Sequence, residues 1–302
     1  MRKQLLTMMI AAGLCSACQA GGPDGLAAEF AKAADAGDAT ALRALVDLAG
    51  SPSDIHFALL NTIDECAGSN TCTATVGPIT PDWETQTKQV LDHEGASFPV
   101  APEGLITLQV KDAEGKDSGS MDVPYAKVGD AYRLVAAKYT PEKLVELRAR
   151  TAQSVVDDVV ARKSEELGED WKAGATDLGA DGGEPGKAFA AHVQAAAQGV
   201  QSEDPDLVAK HTGDRGAIIF GAENYEKKPI PMDVRKAKLR AQAPRMLVEA
   251  KVLGGWQRDD LALIAYEGRN GAGNIERGVA MMERRGDAWS HESSRNVEFP
   301  AN

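Results

Sequence analysis

The feature that most constrains this chain is a plan that appears twice. Ile106–Val110 (ITLQV) aligns with Leu263–Glu267 (LIAYE), and Gly129–Tyr132 (GDAY) with Gly286–Trp289 (GDAW), both at an offset of 157 residues. An unchanged offset across a strand and the next turn requires equal loop lengths, the condition for two sheets built in one register. Gly-Asp is also the chemistry that a tight reversal favours. Upstream, Leu26, Phe30, Ala33 and Ala34 lie on one helical stripe, and Asp38 is placed to cap a second helix carrying Ala41, Leu42 and Leu45. The same plan returns with Phe189, Val193, Ala196 and Ala197, after which Asp204 precedes Pro205 and a helix bearing Leu207 and Val208. Ile79–Asp82 (ITPD) pairs with Ile230–Asp233 (IPMD), each opening a short helix.

Each copy therefore reads helix, helix, a short strand or irregular stretch, helix, then three or more antiparallel strands. This is an α+β fold class with helices on one face of a curved antiparallel sheet. In the second copy Ala217–Phe220 is expected as the first strand and Met246–Val252 as the next, with Ile275–Arg284 pairing between Leu261–Arg269 and Ala288–Val297. With its helix pair, the AIIFG stretch at 217–221 and the closing GDAW at 286–289, this order resembles the NTF2-like (SnoaL-like) family. The resemblance covers residues 187–299 and, more loosely, 26–139. It implies two NTF2-like (cystatin-like) domains, at 26–139 and 187–302. The first copy departs from the pattern by inserting a helix-like stretch and a cysteine loop across Asp54–Val76. Between the copies, Thr140-Pro141-Glu142 opens a connector helix expected over 140–172, with Leu144, Leu147, Thr151, Val155, Val159 and Val160 at helical spacing. A Gly-rich linker at 173–186 follows, expected as a flexible joint.

The N-terminus carries an address. Arg2 and Lys3 precede a ten-residue apolar run, Leu5–Leu14, the pattern of a secretory signal peptide over residues 1–17. Small residues before Cys18 and the sequence Gln19-Ala20-Gly21-Gly22-Pro23 after it resemble a bacterial lipobox, with Cys15 standing where that family usually has Leu. The resemblance implies lipidation at Cys18, a short tether at 18–25, and an outer-membrane anchor facing the periplasm, because Gln rather than Asp follows the cysteine. Cleavage after Ala20, leaving a free periplasmic protein, is the alternative. Cys66 and Cys72 bracket a Gly-Ser-Asn turn, and in an oxidising compartment they read as a disulfide; two free thiols are the alternative.

Charge narrows the functions open to the chain. Lys plus Arg number 33 against 45 Asp plus Glu, a net charge of −12, so no broad cationic surface exists for nucleic acid. One basic segment stands out, Lys227, Lys228, Arg235, Lys236, Lys238 and Arg240, with Arg245 beyond it; it reads as a partner-binding patch or as a solvated helix face. No metal-ligand, nucleophile or phosphate-loop motif is present, and no cofactor is expected. Members of the resembled family, such as ketosteroid isomerases, place an acid in the concave cavity, which marks His211, Asp214 and Arg215 as candidate cavity residues. A charged turn after a helix explains the same letters. The expected function is a non-catalytic binding lipoprotein of the cell envelope, its partner another protein or an envelope component and its only membrane contact the lipid anchor. The alternatives are an immunity lipoprotein neutralising a periplasmic toxin and a SnoaL-like small-molecule enzyme.

Overall fold

The structure is a computed structural model that describes residues 22–211, 219–224 and 227–301, with the side chain of His211 outside the described set. Three helices, α1 (Gly22–Asp35), α2 (Ala39–Ala44) and α3 (Ser53–Glu65), lead into β1 (Thr71–Gly77). Helix α4 (Pro81–Glu94) and β2 (Ala96–Ser97) follow, then β3 (Gly104–Lys111), β4 (Asp117–Val128), β5 (Ala131–Leu134) and β6 (Lys138–Tyr139). After α5 (Pro141–Ala149), α6 (Ala152–Leu167) and β7 (Thr176–Asp177), a further three helices appear: α7 (Gly183–Ser202), α8 (Pro205–His211) and α9 (Met232–Gln242). They lead into β8 (Leu247–Arg258), β9 (Leu261–Asn270), β10 (Ile275–Arg285) and β11 (Ala288–Phe299). The strands form antiparallel sheets ordered β1-β3-β4-β5 and β11-β10-β9-β8-β7, with β2 and β6 paired separately. Bulges between Val252 and Gly254 and between Met281 and Met282 bend the second sheet.

The 157-residue offset is written into the strand ends. Gly104 and Leu261 open β3 and β9, Val128 and Arg285 close β4 and β10, and Ala131 and Ala288 open β5 and β11. The helices require a different alignment from the one expected. Helix α3 precedes β1, which pairs with β3, just as α9 precedes β8, which pairs with β9. The counterpart of Ile230–Asp233 is therefore the start of α3, not Ile79–Asp82. The extra element of the first half is α4 with β2, standing where the second half has only the Asp259-Asp260 turn, and not the stretch across Asp54–Val76.

Other expectations are also revised. Of the expected strand at Ala217–Phe220, the described residues Ile219 and Phe220 are helical, and Phe220 packs on Val208 and Leu239. The connector is two helices rather than one. Thr151 restarts the chain with a reciprocal capping box to Ser154, an arrangement that ends α5 at Ala149. Residues 173–186 are packed: β7 pairs with β8, and a Cβ on Gly186 would meet the Asp181 carbonyl oxygen at 2.2 Å. Gly186 serves close approach, and Gly179, Gly182 and Gly183 take up positive φ.

The second sheet is covered on both faces, which explains why its central strand shows no polar alternation. Ala262, Ile264 and Tyr266 face Phe189 and Val193 of α7, whereas Leu263 and Ala265 face Val155, Val156 and Val159 of α6. The first sheet packs α1 to α3 on one core containing Phe30, Leu42, Leu60, Ile63, Ile106 and Leu108. Ala237 of α9 belongs to that same core, so α3 and α9, the helices that lead into β1 and β8, pack on each other. Each large side chain so buried stabilises the fold by roughly 1.5–3 kcal/mol.

Cys66 and Cys72 are disulfide-bonded, with Cα atoms 5.8 Å apart, and the bridge ties the end of α3 to the second residue of β1. Replacing both by Ser is expected to lower stability by about 2 kcal/mol, the chain-entropy value for so short a loop. Urea unfolding of oxidised protein against the double variant measures it, and equal midpoints would contradict it.

Candidate functional site

Helix α4 is well made locally and poorly buried. Thr80 caps it, accepting a hydrogen bond from Trp83 N at 3.2 Å, Pro81 fills its first position, and Gly95 ends it at φ 64°. Trp83, Thr87, Val90 and Leu91 fall at i, i+4, i+7 and i+8, an apolar stripe facing the body of the protein. Yet no α4 residue is buried, and Val90 keeps 60% of its surface exposed. The helix is held off the body because the space beneath it is open. That space is a groove of about 540 Å³, floored by Ile55, Ala58 and Leu59 of α3 and walled by β4 and by Leu134–Ala137. Phe98 stacks near Trp83 at its mouth, ring centroids 6.3 Å apart. Its lining is apolar apart from Gln86, Thr87 and Asp122, and Asp122 accepts a hydrogen bond from Thr107 Oγ1 at 2.6 Å. The volume lies within the range of small-molecule sites.

A second cavity, of about 560 Å³, shares Ile55, Val90, Leu91 and Ala137 with the groove and runs on between the two halves. Its walls mix apolar side chains with a polar cluster. Glu298 accepts from Ser53 N and Ser53 Oγ at 2.5 Å each, and from Asn270 Nδ2 and Asn274 Nδ2 at 2.9 Å each. Asn274 Nδ2 also donates to the Ser51 carbonyl at 3.0 Å, and Asn270 Nδ2 donates to Glu276 at 2.9 Å. Both asparagines come from the β9–β10 loop, where Asn270 Oδ1 accepts from Ala272 N and Asn274 N and shapes the reversal. Burial pushes the Glu276 carboxyl up to about 7; the Asn270 hydrogen bond opposes the rise and the Glu298 charge adds to it. Tyr139 also lines this chamber. Burial raises its hydroxyl pKa, and the Glu298, Glu94, Asp54 and Glu276 carboxyls raise it further.

The residues singled out from the sequence fall mostly elsewhere. Cys18, Asp214 and Arg215 lie outside the described residues, and His211 ends α8. The basic segment is not one partner-facing patch. Arg235 is 5% exposed, donating to the Phe220 carbonyl at 2.7 and 3.1 Å and to Asp206 at 2.5 Å. Arg240 is held by Glu203 through two 2.7 Å bonds and reaches the Gly37 carbonyl at 3.5 Å, and Arg245 pairs with Asp54 at 2.5 Å. Arg235 and Arg240 are turned inward toward Phe220, α8 and the end of α7, whereas Arg245 is exposed. Lys236 and Lys238 are half-buried on α9, and Lys227 and Lys228 are exposed on the loop before it.

The residues that line the two cavities were not legible as a site. Glu276 and Glu298 sit on strands where polar residues are ordinary, and the partners of Glu298 include Ser53, more than two hundred residues away. The signal that was available is the apolar stripe of α4. Among the described residues no cluster of three His, Cys, Asp or Glu is arranged to hold a metal, and no helix is long and apolar enough to cross a membrane. His291 stacks on His192 at 4.3 Å, and burial, with the neighbouring His192, lowers the His291 pKa to about 3, so that imidazole stays neutral.

Comparison with known proteins returns no match: no family model, no curated protein and no solved structure matches the chain.

Proposed function

We propose that this chain is a non-catalytic binding protein of the bacterial cell envelope, built from two NTF2-like halves and tethered through a lipid on Cys18, with its ligand held in the groove beneath α4. The groove carries this reading. It is apolar, of ligand size, and covered by a helix whose stripe of Trp83, Val90 and Leu91 remains partly exposed. Burying such a stripe is the main favourable term in folding, so a helix that keeps it half-exposed has apolar surface still to cover. The disulfide fits an exported protein, since such bonds persist in oxidising compartments.

Ala58 lies exposed on the groove floor. Ala58→Trp is expected to fill the groove and weaken binding of a neutral apolar dye, N-phenyl-1-naphthylamine, at least tenfold, with little change in melting temperature. Dye fluorescence titration measures this. Equal binding by the two proteins would remove the groove from the reading. For the tether, Cys18→Ala is expected to move the protein from the membrane fraction to the soluble periplasm, and unchanged fractionation would sink that part.

A further inference from the structure

The groove does not end in apolar wall. At Ile55, Val90, Leu91 and Ala137 it adjoins the chamber between the halves, where the lining carries Asp54, Glu94, Glu276 and Glu298 against only Lys143 and Arg245. Both cations are already engaged, Lys143 with Glu146 at 3.0 Å and Arg245 with Asp54 at 2.5 Å. The surplus is therefore carboxyl: Glu94 on α4, Glu276 on β10 and Glu298 on β11. The two cavities are neighbours that share four wall residues, one apolar and the other bearing the carboxyls.

We propose that the ligand of the groove is a cationic amphiphile, an alkyl chain bearing an ammonium head, with the chain beneath α4 and the head in the acidic chamber between α3, α5 and β10–β11. The inference rests on the groove being a binding site and adds the chemistry of what it takes. An anionic head would face the Glu94 and Glu298 carboxylates, and Glu276 once it ionises, in a recess partly shielded from water, where like charges repel more strongly than at the surface. A neutral head would leave that field unanswered. A cation answers it, and a Glu276 carboxyl poised near neutrality can ionise to meet it. A quaternary ammonium suits the site further, because Tyr139 offers a ring at the chamber wall and ring faces attract such cations. The groups facing Glu276 are Tyr266 on β9, Glu298 on β11, Tyr139 on β6, Asp54 on α3, Glu94 on α4, Lys143 on α5 and Arg245 before β8. Glu276, with its carboxyl raised to about 7, gains charge between pH 6 and 8, so affinity for a permanent cation is expected to rise across that interval.

The test is titration of the mature protein with decyltrimethylammonium, decanol and decyl sulfate below their micelle concentrations, followed by intrinsic tryptophan fluorescence, to which Trp83 at the groove contributes. The cation is expected to bind at least tenfold more tightly than decanol, and decyl sulfate most weakly. Glu276→Gln and, as a surface substitution that spares the fold, Glu94→Gln should each reduce the preference for the cation several-fold while leaving decanol binding unchanged. Ala58→Trp should remove all three. Decanol binding as tightly as the cation, or a preference indifferent to both Gln variants, overturns the assignment of the head and leaves the groove standing. Binding of none of the three overturns the groove as well, and cation binding that survives Ala58→Trp places the interaction on the acidic surface and refutes the proposal.

Discussion

Replacing Glu298 by Ala is expected to lower the stability of the folded chain by about 4 kcal/mol, a large share of the total for a protein of any size. Its carboxylate accepts four hydrogen bonds, and their donors belong to Ser53, Asn270 and Asn274, which are 6%, 1% and 4% exposed. Removing the acceptor leaves Ser53 N and Oγ unpaired and takes one of two partners from each asparagine amide, at roughly 1–3 kcal/mol for each unpaired donor that water does not reach. Ser53 is also the first residue of α3, and the preceding Pro52 supplies no side-chain cap. Glu298 thus caps α3 from the far end of the chain and sets a negative charge at the positive end of that helix. Glu298→Gln keeps the shape but turns an amide NH₂ toward donors, and should lose about 2 kcal/mol. Urea unfolding followed by circular dichroism measures both; a loss below about 1 kcal/mol for the Ala variant would show that the two halves do not depend on this contact.

Glu276 should make the protein less stable as pH rises through the weakly acidic range. Its folded pKa of about 7 lies above the ordinary value of 4.5, so between these pH values the folded state holds a proton that the unfolded chain has released. Stability then falls with increasing pH across the interval and levels off above it. A raised carboxyl of this kind costs about 3 kcal/mol at pH 8 relative to pH 4. Glu276→Gln replaces the neutral acid by a neutral amide and removes the term, so the variant should gain on the wild type by up to that amount as pH rises. Unfolding free energies of the two proteins at pH 4, 6 and 8 decide it. A difference independent of pH would mean that Glu276 is already ionised in the folded state.

These two acids show why the site was harder to read than the fold. The β9–β10 hairpin announces itself through the continuous apolar run Leu261–Tyr266 and a Gly- and Asn-rich loop, and the loop is where expected. That Asn270 and Asn274 aim their amides at a carboxylate bridging to α3 is a fact about chain segments far apart in sequence. The same holds for the basic residues of α9. Their number is visible in the sequence, but Arg235 and Arg240 are turned inward by packing against α3, α8 and the end of α7.

What the sequence determined by itself is what near neighbours along the chain decide: the helix starts at Asp38, Thr80 and Thr140, the Gly-Asp turns, and the common 157-residue offset that aligns β3 to β5 with β9 to β11. These rest on hydrogen bonds and sterics within a few residues, so they survive in any tertiary setting. What only the tertiary structure decided is which helix of one half answers which of the other, that α4 is the added element, that it roofs an open groove, and that Glu276 is raised toward neutrality. Burial and desolvation set each of these, and both depend on segments brought together from opposite ends of the chain.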